Sequence, residues 1–295
     1  AARTVREGCT VDAPEYTTRT AFETVRGERG LAWEGDGLWL LGPLEGLQRP
    51  SVAIVGTRAA TPYGRRLART FARQLGAAGC CIVSGLALGI DTAAHEGALE
   101  AGAPTVGVLG GGHAQFFPRR NAPLAARMIA AGGAVLSPFP PQQPAEPWRF
   151  LARNAIVAAL ADAVVVIEAP GRSGALNTAG WAAPRIPVLA VPGDVDRLHV
   201  AGCHALIRDG AILARNAADV LEVLHLQGTP PQPAIERDGA AGALLRALRR
   251  GESDLDDLVD ATGVAPAQAL AELAMLELEG VVERRGATRF ACSSG

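Results

Sequence analysis

Between Val52 and Gly193 the chain alternates short runs that are apolar at nearly every position with longer segments of helical character. The runs read "VAIVG", "CIVSG", "TVGVLG", "AVLS", "AVVVIEA" and "PVLAVPG". A strand with one wet face alternates apolar and polar residues. Unbroken apolar runs belong to strands covered on both faces. The intervening segments include "GRRLARTFARQLGAAG", "DTAAHEGALEAG", "PLAARMIAAGG", "LARNAIVAALA" and "GALNTAGWAA". Strand–helix alternation with right-handed crossovers predicts an α/β fold, an extended, doubly wound and mostly parallel sheet. Most runs end in Gly, Ser or Pro, so the carboxyl edge of the sheet is rich in loops. Ligands of open α/β sheets bind at that edge.

The flanks read differently. Residues 225–239, "HLQGTPPQPAIERDG", are rich in Pro and Gly and lack periodicity, which predicts a linker. Residues 240–295 run helix, turn, helix, helix and a hairpin "VVERRGATRFAC", the order of a small winged-helix domain. The sheet domain is then expected over 51–224. Residues 1–50 form an N-terminal extension too short and glycine-rich for a full helical domain, with "GLAWEGDGLWLLG" expected as a hairpin leading into the sheet.

Charge narrows the function. All 28 basic residues are arginine. Any phosphate contact therefore falls to guanidinium groups, hydroxyls or backbone N–H groups, and a lysine Schiff base is excluded. Residues 51–224 carry 15 Arg against 11 Asp and Glu, whereas 241–295 carry 6 against 9, so positive charge sits on the middle of the chain. The five cysteines show no C-x-x-C spacing, which argues against a zinc site and for a reducing, cytoplasmic setting. No run of about 18 apolar residues predicts a membrane span, and "AARTVREGCT" lacks a basic-then-apolar leader pattern.

Four glycine-rich loops follow strands and run into helices: "GTRAATPYG", "SGLALGIDTAAHEGAL", "VLGGGHAQFFPRRN" and "EAPGRSGALNTA". Glycine permits close backbone approach, and helix N-termini carry unpaired N–H groups with partial positive charge. Topology predicts that the loops converge into an anion site larger than one phosphate. The first loop departs from G-x-G-x-x-G by placing Arg58 where a second glycine would stand. Fixed cations suit a polymer backbone better than a mononucleotide.

At these residues the chain resembles the DprA/Smf family of DNA-processing proteins. The resemblance rests on "GTR", "SGLALGIDTAAH", "LGGG…FPRRN", "RNAIVAAL", "SGALNT", "VPG" and "GCHALIRDGA", in that order, over Ser51 to about Leu224. It implies an extended Rossmann domain that binds single-stranded DNA, forms a homodimer, and loads the recombinase RecA onto DNA coated with single-strand-binding protein during natural transformation. No metal or cofactor is implied. The expected contacts are Gly56, Thr57 and Arg58 in the first loop and Ser84 and Gly85 in the second. The third supplies Gly110, Gly112, Phe117, Arg119 and Arg120; Arg153, Asn154, Ser173 and Gly174 complete the set. The family's R-N-R reads "RNA" here, so Ala155 replaces a basic residue. Phe116 and Phe117 are candidates for base stacking. Arg65, Arg69 and Arg73, four apart, are expected to form a solvated helical stripe.

Other readings are weaker. Ser84, Asp91 and His95 have the residue types of a triad, but Asp91 at a helix start is expected to cap it. A nucleotide N-glycosidase of the phosphoribohydrolase type carries a glutamate after P-G-G-x-G-T, and none follows "PGRSGALNTAGW". A winged-helix regulator of duplex DNA needs a basic recognition helix, whereas "APAQALAELAMLELEG" has no Arg.

Overall fold

The computed structural model describes residues 13–27, 35–226, 239–248, 253–278, 281–284, 286 and 288–292. The chain divides into two compact units, Ala1–Gln232 and Pro233–Gly295. Most of the expected linker, residues 227–238, lies outside the described residues.

The first unit is built on one nine-stranded sheet. The expected apolar runs form β3 (Ser51–Gly56), β4 (Cys81–Ser84), β5 (Thr105–Val108), β6 (Ala134–Ser137), β7 (Ala163–Ile167) and β8 (Val188–Ala190). The short strands β1 (Glu15–Thr18), β2 (Gly37–Leu41) and β9 (Ile212–Leu213) complete it. The order is β1-β2-β6-β5-β4-β3-β7-β8-β9, with parallel pairing from β6 to β9. From β3 the chain winds outward through β4, β5 and β6, then returns to β3's other side with β7. The switch point of the doubly wound sheet therefore lies between β3 and β7, whose carboxyl ends are Gly56 and Ile167.

The alternation along each strand divides the core. Ala53 and Val55 of β3 join the cluster that holds α1 (Arg19–Arg26), α5 (Pro147–Ala159), α6 (Gly174–Ala182) and α7 (Ala201–Arg208). Val52 and Ile54 face α2 (Pro62–Ala77), α3 (Ile90–Glu100) and α8 (Ala217–Val223). Val135 of β6 packs with Leu124, Ala125 and Met128 of α4 (Ala122–Ala130). Both faces are thus covered, which is why the strand residues show no polar alternation.

The N-terminal segment bears on one expectation. Residues 37–41 form a single strand, β2, paired antiparallel with β1 on one side and β6 on the other; residues 30–34, the first half of the expected hairpin, lie outside the described residues. The segment is also part of the sheet unit. Buried Arg26 donates to the Leu160 carbonyl (2.6 Å) and to Asp162 Oδ1 (2.7 Å), while Asp162 Oδ2 accepts from Ser51 N (2.7 Å). One carboxylate ties α1 to the starts of β3 and β7.

The second unit has the expected helix order, α9 (Gly239–Leu248), α10 (Leu255–Thr262) and α11 (Pro266–Leu278). A sheet of order β10-β12-β11 follows from β10 (Ser253–Asp254), β11 (Val282–Arg284) and β12 (Arg289–Cys292). Leu244, Leu258, Leu273, Val282 and Phe290 form its core. Asp254 caps α10 by accepting from Asp257 N (3.1 Å), and Gly263 ends it in the left-handed region. Leu270 and Met275 are exposed on α11.

Candidate nucleic-acid interface

A cleft of about 490 Å³ opens at the switch point. It is lined from the end of β3 and its loop (Gly56, Thr57, Arg58), from the loop after β4 (Gly85, Ala87) and the first turn of α3 (Asp91), from α5 (Phe150, Arg153, Asn154), and from the loop after β7 (Arg172, Ser173) and the start of α6 (Gly174). Three of the four expected loops converge there. The third does not line the cleft; its Arg120 and Asn121 line a neighbouring groove.

Close approach sets the first loop. A Cβ on Gly56 would overlap the Ile167 carbonyl of β7 and Ile90 of α3. Gly89, at φ +87°, lets the start of α3 press on the Thr57 and Arg58 carbonyls, and Ile90 N donates to the Thr57 carbonyl (3.3 Å). Thr57 N donates in turn to the Glu168 carbonyl (2.7 Å). The backbone under Arg58 is thereby pinned between two loops while its side chain stays exposed.

The N-terminus of α2 is already occupied. Thr61 caps it by accepting from Gly64 N (3.0 Å), and buried Glu168 accepts from Thr61 N (2.8 Å) and from the Thr61 hydroxyl. A carboxylate of the protein itself thus sits where a mononucleotide phosphate would bind in a G-x-G-x-x-G loop. That helix terminus is therefore not free for an anion, and Arg58 is the exposed cation the loop presents.

The Arg58 guanidinium lies over the Phe150 ring, 4.8 Å from its centroid, and Phe117 packs on Phe150 at 6.0 Å with a 58° tilt. Phe117 is half exposed, at 51%. This places one cation on the ring that lines the cleft, with Phe117 packed on that ring from outside the lining. Arg172 is exposed on the far wall. Phe150 and Arg172 were not anticipated as contacts. Arg172 lies inside the fourth loop motif, and Phe150 precedes Arg153 by three residues on one helical face, so both carried a readable signal.

The floor holds two buried charged side chains, Arg153 and Asp91, which influence one another electrostatically without an ion-pair contact. Arg153 donates to the Gly85 and Val108 carbonyls. Burial lowers its pKa to about 10, so it remains a cation at neutral pH. Asp91 Oδ2 accepts from Gly85 N (3.1 Å) and Ala87 N (3.3 Å), while burial raises its pKa against the lowering effect of Arg153. Asp91 therefore holds the preceding loop and does not cap α3, whose start has no side-chain cap. Asn154 donates to the Gly174 carbonyl (3.1 Å) and Asn177 Oδ1 (3.2 Å), and Ser173 caps α6 by accepting from Ala175 N (3.2 Å).

Several expected contacts do other work. Ser84 is fully buried and donates to the Ile54 carbonyl (2.6 Å). Gly110 makes room for Phe150, and Gly112 for the Pro140 and Pro141 carbonyls. Arg119 is exposed but lines neither the cleft nor the groove. His95 is buried against Thr105 Oγ1 (2.7 Å), with its pKa lowered to about 3 by burial. Ser84, Asp91 and His95 each engage other groups and make no triad. Among the described residues no group of His, Cys, Asp and Glu could hold a metal ion, and no helix is long and apolar enough to cross a membrane.

The neighbouring groove, about 900 Å³, runs between α2, α3 and α4. Arg58, Arg65, Arg66, Arg69, Arg120 and Arg127 line it, with Glu96 as its one carboxylate. Arg65 and Arg69 belong to the expected solvated stripe; Arg73 lies outside the groove.

An open parallel sheet with a cationic cleft at its switch point, followed by a winged helix, is the class of a Rossmann-like nucleic-acid-handling protein. Comparison with known proteins makes the assignment particular. The family model for DNA recombination-mediator protein A matches residues 34–225, and the DprA winged helix domain matches 228–287. The chain belongs to the DprA/Smf family. It is 42% identical over 259 residues to a DNA processing protein DprA of Mycobacterium tuberculosis, covering 84% of this chain and 66% of that protein. It is 41% identical over 189 residues to the protein Smf of Escherichia coli, covering 64% of this chain and half of that one. The chain thus spans at most about two thirds of the length of these relatives. The crystal structure of DprA from Streptococcus pneumoniae is similar at a TM-score of 0.60 and 38% identity, over 66% of this chain and 68% of that one. A DprA structure from Helicobacter pylori, described for its single-stranded-DNA binding mode, matches at 0.61 and 29%, over 72% and 95%.

Proposed function

We propose that this protein binds single-stranded DNA in the switch-point cleft and acts as a recombination mediator. The observation that carries the reading is the arrangement of Arg58 over Phe150 with Phe117 beside it. A guanidinium for phosphate, seated on the half-buried Phe150 ring beside the exposed Phe117 ring for a base, is the pairing that sequence-tolerant single-strand binders use. Family membership and the Helicobacter pylori relative's described single-stranded-DNA binding support it.

The finer parts of the reading rest on the family resemblance. They are protection of incoming strands, loading of RecA in competition with single-strand-binding protein, action in the cytoplasm during natural transformation or repair, and a homodimer. For the dimer there is also a physical reason. A cleft with few phosphate contacts binds modestly, and two linked clefts raise avidity by roughly 10²–10⁴. Strand β9 ends the sheet with Ile212 and Leu213 exposed, an open edge that a second copy would cover.

The protein is proposed to be non-enzymatic. The cleft's one carboxylate, Asp91, is committed to two backbone N–H groups, and Glu168 is committed to Thr61. The deciding experiment compares salt-dependent binding of single- and double-stranded DNA of equal length, with release of free base from nucleoside monophosphates assayed in parallel. Preferential single-strand binding without base release is expected. Base release that Asp91→Asn abolishes would replace the reading with a glycosidase.

A further inference from the structure

The arginine groove is not needed to explain the cleft, yet it holds the larger charge. Six guanidinium groups line it against Glu96 alone. Arg69 is paired with Glu100, on the neighbouring turn of α3. Among the described residues Arg58, Arg65, Arg66, Arg120 and Arg127 have no carboxylate ion-pair partner. Arg65 instead donates to the Ala60 carbonyl (2.5 Å), and Arg66 lies over the Tyr63 ring at 5.4 Å. Like charges lining one groove repel one another, so such a cluster disfavours the folded state and favours binding of an anion that neutralises it.

The positions come from four separate segments, with Arg58 on the loop after β3. Arg65, Arg66 and Arg69 ride on α2, Arg120 on the turn before α4, and Arg127 on α4's last turn. A multi-point array of forks matches a chain of phosphates better than one small anion. No aromatic residue lines the groove, whereas the cleft has Phe150. The two surfaces divide the polymer's chemistry: a ring beside cations in the cleft, cations with no lining ring in the groove. Arg58 lines both.

We propose that the groove is a backbone track that receives the same single strand as it leaves the cleft, turning over Arg58 and lying along α2 and α4. The inference rests on the cleft reading and extends it. The track's ligand is the sugar–phosphate backbone, with bases facing solvent, so it is indifferent to sequence and strongly dependent on salt. A single strand is the occupant the geometry favours, because it can bend at the shared arginine whereas a duplex is stiff over such a distance.

The test uses fluorescence anisotropy with oligothymidylates of about 5 and about 16 nucleotides, lengths that bracket the site sizes of single-strand binders. The full chain is compared with Arg66→Glu/Arg127→Glu and with Arg58→Glu. The double variant is expected to bind the short oligomer as the parent does and to lose the gain in affinity with length. Its salt slope on the long oligomer should fall by about 1.4, from ~0.7 per lost contact. Arg58→Glu should weaken both lengths. Unchanged long-oligomer affinity and slope, or an equal loss at both lengths, would overturn the track while leaving the cleft reading in place. If the parent retains neither oligomer, the cleft reading falls and the track with it. A duplex of equal length is the third arm: selective loss of duplex binding in the double variant would make the groove a duplex surface instead. Arg66→Gln/Arg127→Gln repeats the comparison if charge reversal unfolds the chain, as circular dichroism would report.

Discussion

Arg153→Met tests whether the two buried charges on the cleft floor are coupled. The methionine keeps most of the side-chain volume, so little cavity forms and the effect is electrostatic. The variant removes the guanidinium from the Gly85 and Val108 carbonyls, both of which then lose a buried donor. An unsatisfied buried polar group costs about 1–3 kcal/mol, so the two together cost roughly 2–6. For a domain of this size, 1 kcal/mol lowers Tm by about 2–4 °C. A fall of roughly 4–24 °C is expected.

The pH dependence gives a sharper signature. Arg153 is the largest influence that lowers the Asp91 pKa, against burial, which already raises it above 3.8. Without the arginine the folded-state pKa rises further. A carboxyl whose folded pKa exceeds its unfolded value binds its proton more tightly when folded. Its contribution is therefore most favourable at low pH, and it destabilises progressively as pH rises through the window between the two values. Arg153→Met should lose more stability at pH 8 than at pH 5, and adding Asp91→Asn should remove that extra loss. Urea unfolding followed by circular dichroism at both pH values, as a double-mutant cycle, measures it. A loss under 1 kcal/mol, or one that is equal at both pH values and indifferent to Asp91→Asn, would refute this account of the cleft floor.

Other perturbations check other parts of the structure. Arg58→Glu should sharply weaken single-strand binding and reduce the salt slope by at least ~0.7 with the fold intact; unchanged binding isotherms would remove Arg58 from the interface. Arg119→Glu, exposed but outside cleft and groove, should have a smaller effect than Arg58→Glu in the same titration. Arg26→Met strips Asp162 and the Leu160 carbonyl of a buried partner and should cost about 3 kcal/mol, read as a lower denaturation midpoint without loss of single-strand affinity per folded molecule. Truncation after Leu224 should leave single-strand binding largely in place, because α11 carries no Arg to engage phosphate; a truncated, folded protein that loses most of its affinity would contradict this.

The six buried strands and the first five crossover helices were legible because burial on both faces leaves an uninterrupted apolar run, a signal that needs no partner to be read. The winged-helix order was legible for the same local reason. Strands β1 and β9, and the partners of β2, were not, since short strands owe their pairing to the neighbour that receives them. The glycine motifs marked where loops come close, and Arg58, Arg153, Asn154, Ser173 and Gly174 do line one cleft. Composition and spacing could not say which glycines make room for a neighbour and which face a ligand. Gly110 and Gly112 proved to accommodate Phe150 and the Pro140–Pro141 backbone. Nor could they show that Glu168 occupies the α2 N-terminus, because that contact joins residues 107 apart. The arginine groove has the same origin. A helical stripe at Arg65 and Arg69 is visible in sequence and reads as solvated, but Arg120 and Arg127 reach it only through the packing of α4 beside α3. Local sequence determines which residues are charged and which face of a helix they share; the tertiary crossing of four segments decides that their charges sum in one place.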